Sequence, residues 1–262
     1  MNQDLFAGLP GALRQAGLSA TVLPTLMDGA APDVAQGYLL QQLALQLRLR
    51  DGEFLSGWKV AFSAAAAQAR FGLSEPVYGA LTSTMQVEPG SRVDLASLIQ
   101  PKLEIELAFL LGREIVPGDY TDEQLIEAIT EVAPAFEIAD CRWQGWRFAA
   151  GAFLADNAAA ALYCLGPRQA FDSKRHARVD YCLEHEGEPC GAGHRDGRID
   201  TPLVNLCWLL RRLLADGQPL RAGQVILSGA LLAPLDINPG EYRLQMVGME
   251  LALRFESGLN PD

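Results

Sequence analysis

The sequence predicts an α+β fold: a β-rich mixed-sheet core, a helical N-terminal portion and peripheral helices. Leucines recur at helical spacing at positions 5, 9 and 13 and again at 39, 40, 43 and 47. From residue 54 onward, short apolar runs of strand length alternate with turn signals. No repeat, linker or low-complexity segment interrupts the 262 residues. That length suits one large domain or a small and a large one. We place the helical portion at 1–53 and a β-rich catalytic domain at 54–262.

Taken in order, Pro32-Asp33 starts the second helix and Asp51-Gly52 ends it. Residues 54–63 switch to a strand pattern with Lys59 in its middle, and the alanine-rich 64–72 read as a short helix closed by Gly72. Pro76 and Gly79 mark a turn or loop. Strands are expected near 80–88 and 91–95, separated by Pro89-Gly90. The run 101–111 is the next strand. Thr121-Asp-Glu-Gln124 is a capping box, which predicts a helix over about 122–132, followed by a buried strand over 134–140. Asp156 and Asn157 serve as a cap or turn. Residues 172–200 are polar and Gly-rich, a hairpin region with long loops. Leu203 to Leu214 form a helix ending at Gly217, Val225–Ser228 a strand entering a Gly turn, and 241–246 and 249–255 the last two strands.

Composition narrows the function. The formal net charge is −11 with no basic block, which argues against nucleic acid and anionic membrane surfaces as partners. The N-terminus lacks the basic and apolar regions of a signal peptide, and no run approaches the roughly 18 apolar residues that span a bilayer. Five cysteines, widely spaced and without a Cys-x-x-Cys pair, read as reduced thiols. Together these predict a cytoplasmic protein. His176, His185 and His194 all lie in the polar stretch and lack metal-ligand spacing.

The chemistry concentrates in Pro101-Lys-Leu-Glu104-Ile-Glu106-Leu-Ala-Phe-Leu-Leu111. In a strand, residues two apart share a face, so the two carboxylates stand roughly 7 Å apart at their Cβ atoms while Leu103, Ile105 and Leu107 enter a core. Like charges that close repel unless a cation lies between them. Mg2+ or Mn2+ suits such oxygens; spacing alone leaves a solvated acidic face as the alternative. Glu137, between Phe136 and Ile138, is costly to bury unpartnered. It is either a third ligand or an exposed edge residue.

An ordered set of short motifs extends this: Gly57-Trp-Lys59-Val, Pro76-Val-Tyr-Gly79, the Glu104/Glu106 strand, Pro134-Ala-Phe-Glu-Ile138, Ala155-Asp-Asn-Ala158 and Leu227-Ser-Gly-Ala230. The set, spanning about residues 35–256, resembles the metal-dependent 2-hydroxydienoate hydratase / 4-oxalocrotonate decarboxylase family, within the fumarylacetoacetate hydrolase superfamily. The resemblance implies a β-rich core of that type, and Mg2+ or Mn2+ held by Glu104, Glu106 and Glu137. It implies Lys59 as the catalytic lysine beside the metal, and substrate contacts from Ser63, Tyr78 and Ser228. It also implies a homo-oligomer, or one subunit of a paired hydratase/decarboxylase assembly.

Departures from the pattern set the expected reaction. Hydratases of the family carry Asp where this chain has Val77, and an apolar residue there favours decarboxylation, which needs an electron sink more than a base. Ala159 and Ala160 replace polar residues, and Thr201 replaces a histidine, so the substrate tail meets fewer polar groups. The expected activity is a metal-dependent lyase acting on a 2-oxo or 2-hydroxydienoic acid. Decarboxylation is favoured over hydration. An acylpyruvate-type hydrolase, with its base from His185 or His194, and a non-catalytic partner subunit are the competing readings.

Overall fold

A computed structural model describes residues 6–27, 29–196 and 201–258. Leu5 of the first helical repeat and Asp200, before the late helix, lie outside them. The helical portion comprises α1 (Leu9–Leu18) and α2 (Val34–Arg50). Asp33 caps α2 by a reciprocal box with Gln36: the Gln36 N–H donates to the Asp33 carboxylate at 2.8 Å and the Asp33 N–H to the Gln36 side chain at 3.0 Å. Buried Gln41 ties α2 to the body, its Nε2 donating to the carbonyl oxygens of Tyr78 and Leu154.

The body continues through β1 (Leu55–Ala61), α3 (Ala65–Arg70), β2 (Val77–Thr82), β3 (Gln86–Val87), β4 (Arg92–Asp94) and β5 (Pro101–Leu111). Next come α4 (Asp122–Ile126), β6 (Ile129–Asp140), α5 (Ala150–Ala155), β7 (Ala160–Leu165), β8 (Gln169–Ala170) and the hairpin of β9 (Val179–His185) and β10 (Glu188–Arg195). The chain closes with α6 (Pro202–Ala215), β11 (Val225–Leu227), β12 (Leu235–Asp236), β13 (Gly240–Met246) and β14 (Met249–Glu256). A mixed sheet runs β2-β1-β11-β5-β6-β7-β3, with β12 on β5 and β8 on β6; a second sheet runs β10-β9-β13-β14-β4. This is the α+β, β-rich architecture expected.

Two regions differ from the sequence reading. The helix expected over 122–132 stops at Ile126, and the strand expected from Pro134 already begins at Ile129. The reason is pairing: β5 runs to Leu111, and its far end takes Ile129 to Ala133 as partners. That ladder outweighs local helix propensity. The strand expected over 80–88 starts at Val77 and breaks after Thr82 into a tight turn. Val77 and Tyr78 pair with Ala61 and Val60 of β1, so the expected turn at 76–79 becomes the start of a strand.

The central strands separate two environments. Leu103, Ile105, Leu107, Phe109, Phe136 and Ile138 point into the main core and are fully buried. The opposite face is packed by a second apolar cluster that includes Ala108, Ala133, Ala135, Tyr163 and Leu227. At one end of that face the apolar packing gives way to carboxylates.

Candidate metal centre

Strand alternation places Glu104 and Glu106 on one face of β5. The antiparallel register sets Glu104 directly opposite Glu137 of β6, so the third carboxylate joins the same face. Oxygens of all three lie within 4.8 Å of one another. Glu106 and Glu137 are completely buried, whereas Glu104 is half-buried at the cavity edge. Lys59 reaches in from β1, two strands away; its ammonium is 2 % exposed and lies 2.9 Å from Glu137 Oε1.

One lysine does not satisfy three carboxylates. Glu106 Oε2 accepts the Gly229 N–H at 2.6 Å, but Glu106 Oε1 and both Glu137 oxygens lack an aligned hydrogen-bond donor. The Lys59–Glu137 contact is thus an ion pair of close charges rather than a well-directed hydrogen bond. Burial, then the neighbouring Glu137, pushes the Glu104 carboxyl up to about 7; burial, then Glu137 and Glu104, pushes Glu106 well above the usual range. Burial works to lower the Lys59 pKa, but Glu137 and Glu104 outweigh it and raise it. Buried, converging and under-satisfied carboxylate oxygens fit a hard divalent cation.

The centre opens onto a cavity of about 600 Å3. Its wall includes a stack of Phe62, Phe71, Phe148 and Phe153, with ring centroids 4.5–5.2 Å apart. Lys59, Arg70, Lys102, Arg147 and Arg195 also line it, a concentration of positive charge in a chain of net charge −11. A larger, open depression of about 730 Å3 lies on the second sheet, away from the carboxylates.

The structure brings Lys59, Glu104, Glu106, Glu137 and Ser63 to this centre or its cavity. Ser228 is buried next to Gly229, its Oγ without a partner and its carbonyl oxygen accepting from Asn205 Nδ2 at 2.8 Å. Tyr78 is not brought there. The register pairs it with Val60, on the face opposite Lys59, and its hydroxyl donates to Asp216 at 2.8 Å. Val77 does lie on the Lys59 face, paired with Ala61, so the position read as an acid in hydratases is apolar and 3 % exposed here. Thr201 caps α6. His185 stacks on Tyr242 and does not line the cavity, nor does His194. Sequence reading missed the aromatic wall and the arginines, because scattered Phe and Arg residues carry no spacing signal.

The mixed sheet has the fold of the fumarylacetoacetate hydrolase type, and its acidic end offers the oxygen donors that a hard divalent cation takes. The structure of 4-oxalocrotonate decarboxylase from Pseudomonas putida, complexed with magnesium and adipate, superposes with a TM-score of 0.89 over 98% of each chain, at 24% identity. Fumarylpyruvate hydrolase from Pseudomonas aeruginosa, in complex with Mn2+ and pyruvate, gives 0.54 over 77% of this chain and 89% of its own, at 18% identity. No protein-family model matches. In sequence, the chain is 34% identical over 234 residues to a 2-keto-4-pentenoate hydratase of Burkholderia vietnamiensis, covering 88% of each. It is 30% identical over 228 residues to a 4-oxalocrotonate decarboxylase of a Pseudomonas species, covering 87% of this chain and 88% of that one. The chain belongs to the 2-keto-4-pentenoate hydratase / 4-oxalocrotonate decarboxylase family.

Proposed function

We propose that this protein is a divalent-metal-dependent lyase of 2-oxo dienoic acids. In this reading Glu104, Glu106 and Glu137 hold Mg2+ or Mn2+, Lys59 is the catalytic lysine, and decarboxylation of a 2-oxo diacid is the favoured outcome. The observation that carries it is the convergence of three carboxylates, two of them fully buried and under-satisfied, beside Lys59 at the wall of a cationic cavity.

Glu104, Glu106 and Glu137 would hold the divalent ion, which when bound would supply positive charge to stabilise an enolate-like 2-oxo group. The remaining work falls to the chain. Lys59 Nζ, anchored beside Glu137, binds a substrate oxygen or carries a proton to the developing carbanion. Arg70, Arg147 and Arg195 draw a dianionic acid into the cavity. The phenylalanine stack keeps water from the far end of the substrate, where a carboxylate stripped of hydration leaves more readily as CO₂. Val77 offers no carboxyl to deliver a proton or a water from the Lys59 face.

Hydration is the second reading, favoured by the 34% identity to proteins named hydratases. A hydrolase has less support, because neither His185 nor His194 stands on the cavity wall. A non-catalytic partner subunit would have no reason to gather three carboxylates and a lysine, with Glu106, Glu137 and Lys59 fully buried. We further propose a homo-oligomer of cytoplasmic location; no helix among the described residues is long and apolar enough to cross a membrane.

The test is direct. Mg2+-loaded protein is given 4-oxalocrotonate and, separately, 2-keto-4-pentenoate. CO₂ release from the diacid with little conversion of the monoacid supports decarboxylation. A 4-hydroxy-2-oxo acid formed from the monoacid, without CO₂ release from the diacid, assigns hydration. Turnover of neither refutes the lyase reading.

A further inference from the structure

Three consecutive non-glycine residues, Asn157, Ala158 and Ala159, adopt left-handed backbone conformations, with φ of 54°, 51° and 58°. L-residues avoid this region, and alanine has no side-chain group to compensate. The turn persists because its surroundings over-determine it. Its backbone bonds run from the Ala159 N–H to the Asp156 carbonyl at 3.0 Å and from the Ala160 N–H to the Asn157 carbonyl. The rest comes from outside. Arg142, 8 % exposed, spans the turn: Nη2 donates to the Asp156 carbonyl at 2.7 Å and Nη1 to the Ala160 carbonyl at 3.3 Å. The same guanidinium pairs with the buried Asp156 carboxylate, which also accepts the Arg142 N–H at 2.9 Å. Asn157 adds a second anchor, its side chain bonding both the N–H and the carbonyl of Ala80 at 2.8 Å.

The clamped turn and the Lys59 stem meet on either side of Gly79. Gly79 lies opposite Lys59 in the β1–β2 register, and a Cβ there would stand 2.5 Å from the Asn157 carbonyl oxygen and 3.2 Å from Lys59 Cε. The missing side chain lets the turn press against the strand beside the lysine stem. Ala158 and Ala159 form the adjoining cavity wall. We propose that Arg142 is a positioning residue: by holding 157–159 left-handed against Gly79, it confines the Lys59 stem and fixes the ammonium beside Glu137. This rests on the catalytic assignment of Lys59 above.

The test replaces Arg142 by lysine, which keeps the charge facing Asp156 but loses the planar fork. Arg142→Lys is expected to bind Mg2+ and oxalate as the wild type does by calorimetry, while kcat falls about tenfold with KM little changed. Adding Ala158→Gly and Ala159→Gly, which accept the left-handed region without strain, is expected to recover most of kcat. If Arg142→Lys does not fold, Gly79→Ala probes the same contact from the strand side with Arg142 intact, and the same split is expected. Crystal structures of the variant and the wild type read the geometry without any substrate: the 2.9 Å Lys59–Glu137 separation should lengthen. An unchanged separation overturns the proposal, as does unchanged kcat per folded molecule, glycines that recover nothing, or Mg2+ binding lost in step with kcat. Wild type that turns over neither candidate substrate counts against the lyase assignment alone, and the structural comparison then decides the positioning role.

Discussion

Replacing Glu106 by glutamine should strengthen the metal-free protein while destroying its metal site. The side chain is fully buried, its oxygens within 4.8 Å of those of Glu104 and Glu137. At an effective dielectric of about 20, one pair of unit charges at that distance repels by about 3 kcal/mol. Removing the Glu106 charge relieves two such pairs and forfeits attraction to Lys59, a net gain of about 3 kcal/mol. The carboxyl is already pushed towards its protonated form, so about 3 kcal/mol is the ceiling of that gain. Shape is kept: an amide oxygen still accepts the Gly229 N–H, and the amide nitrogen donates towards Glu137, whose oxygens lack an aligned hydrogen-bond donor. At about 2–4 °C per kcal/mol for a domain of this size, the melting temperature in EDTA should rise, by at most about 6–12 °C. Mg2+ at a hundredfold excess over Kd should stabilise the wild type by about 2.7 kcal/mol and leave Glu106→Gln unmoved. Paired melts in EDTA and Mg2+, with calorimetric titration, read both effects. A variant that melts lower than wild type in EDTA, or still binds Mg2+ with wild-type affinity, refutes the strained-carboxylate reasoning.

Other outcomes follow from the same geometry. Lys59→Met leaves the buried Glu137 uncompensated, so metal-free stability should drop by about 3 kcal/mol, Mg2+ should restore much of it, and kcat should fall by about a hundredfold or more; melts and steady-state kinetics check this. Glu104 titrates near 7 in the folded metal-free protein, above its unfolded value, so the folded state holds the extra proton. That contribution to stability is fully present below the unfolded carboxyl range and is lost as pH rises through about 7. Mg2+ affinity should run the other way, weakening as pH falls below about 7, with proton release visible as a buffer-dependent binding enthalpy. Gly37→Ala places a Cβ 2.5 Å from the Gly151 carbonyl oxygen between α2 and α5. It should lower stability by about 1–3 kcal/mol with and without Mg2+, leaving Mg2+ affinity unchanged by calorimetry.

Much of the architecture was legible because it is written in local periodicity. The alternation through Leu103, Glu104, Ile105 and Glu106 determined that two acids share a face above a core, and Asp33 and the leucines of α6 marked their helices. The register was not legible. That Glu104 faces Glu137, that Lys59 arrives from two strands away, and that Tyr78 turns from the cavity while Val77 turns towards Lys59 depend on how strands align, since a one-residue slip reverses every side chain. The helix expected to 132 ended early for the same reason, its last residues being claimed by the β5 ladder. Nor could the sequence show that Asp156 and Asn157, read as a cap or turn, bond Arg142 and Ala80 and so anchor a left-handed segment over 157–159. Local pattern determines which faces exist, because it acts between residues a few positions apart. Long-range pairing and burial decide which charges meet, because the free energy of a buried carboxylate depends on partners that only the folded chain brings within reach.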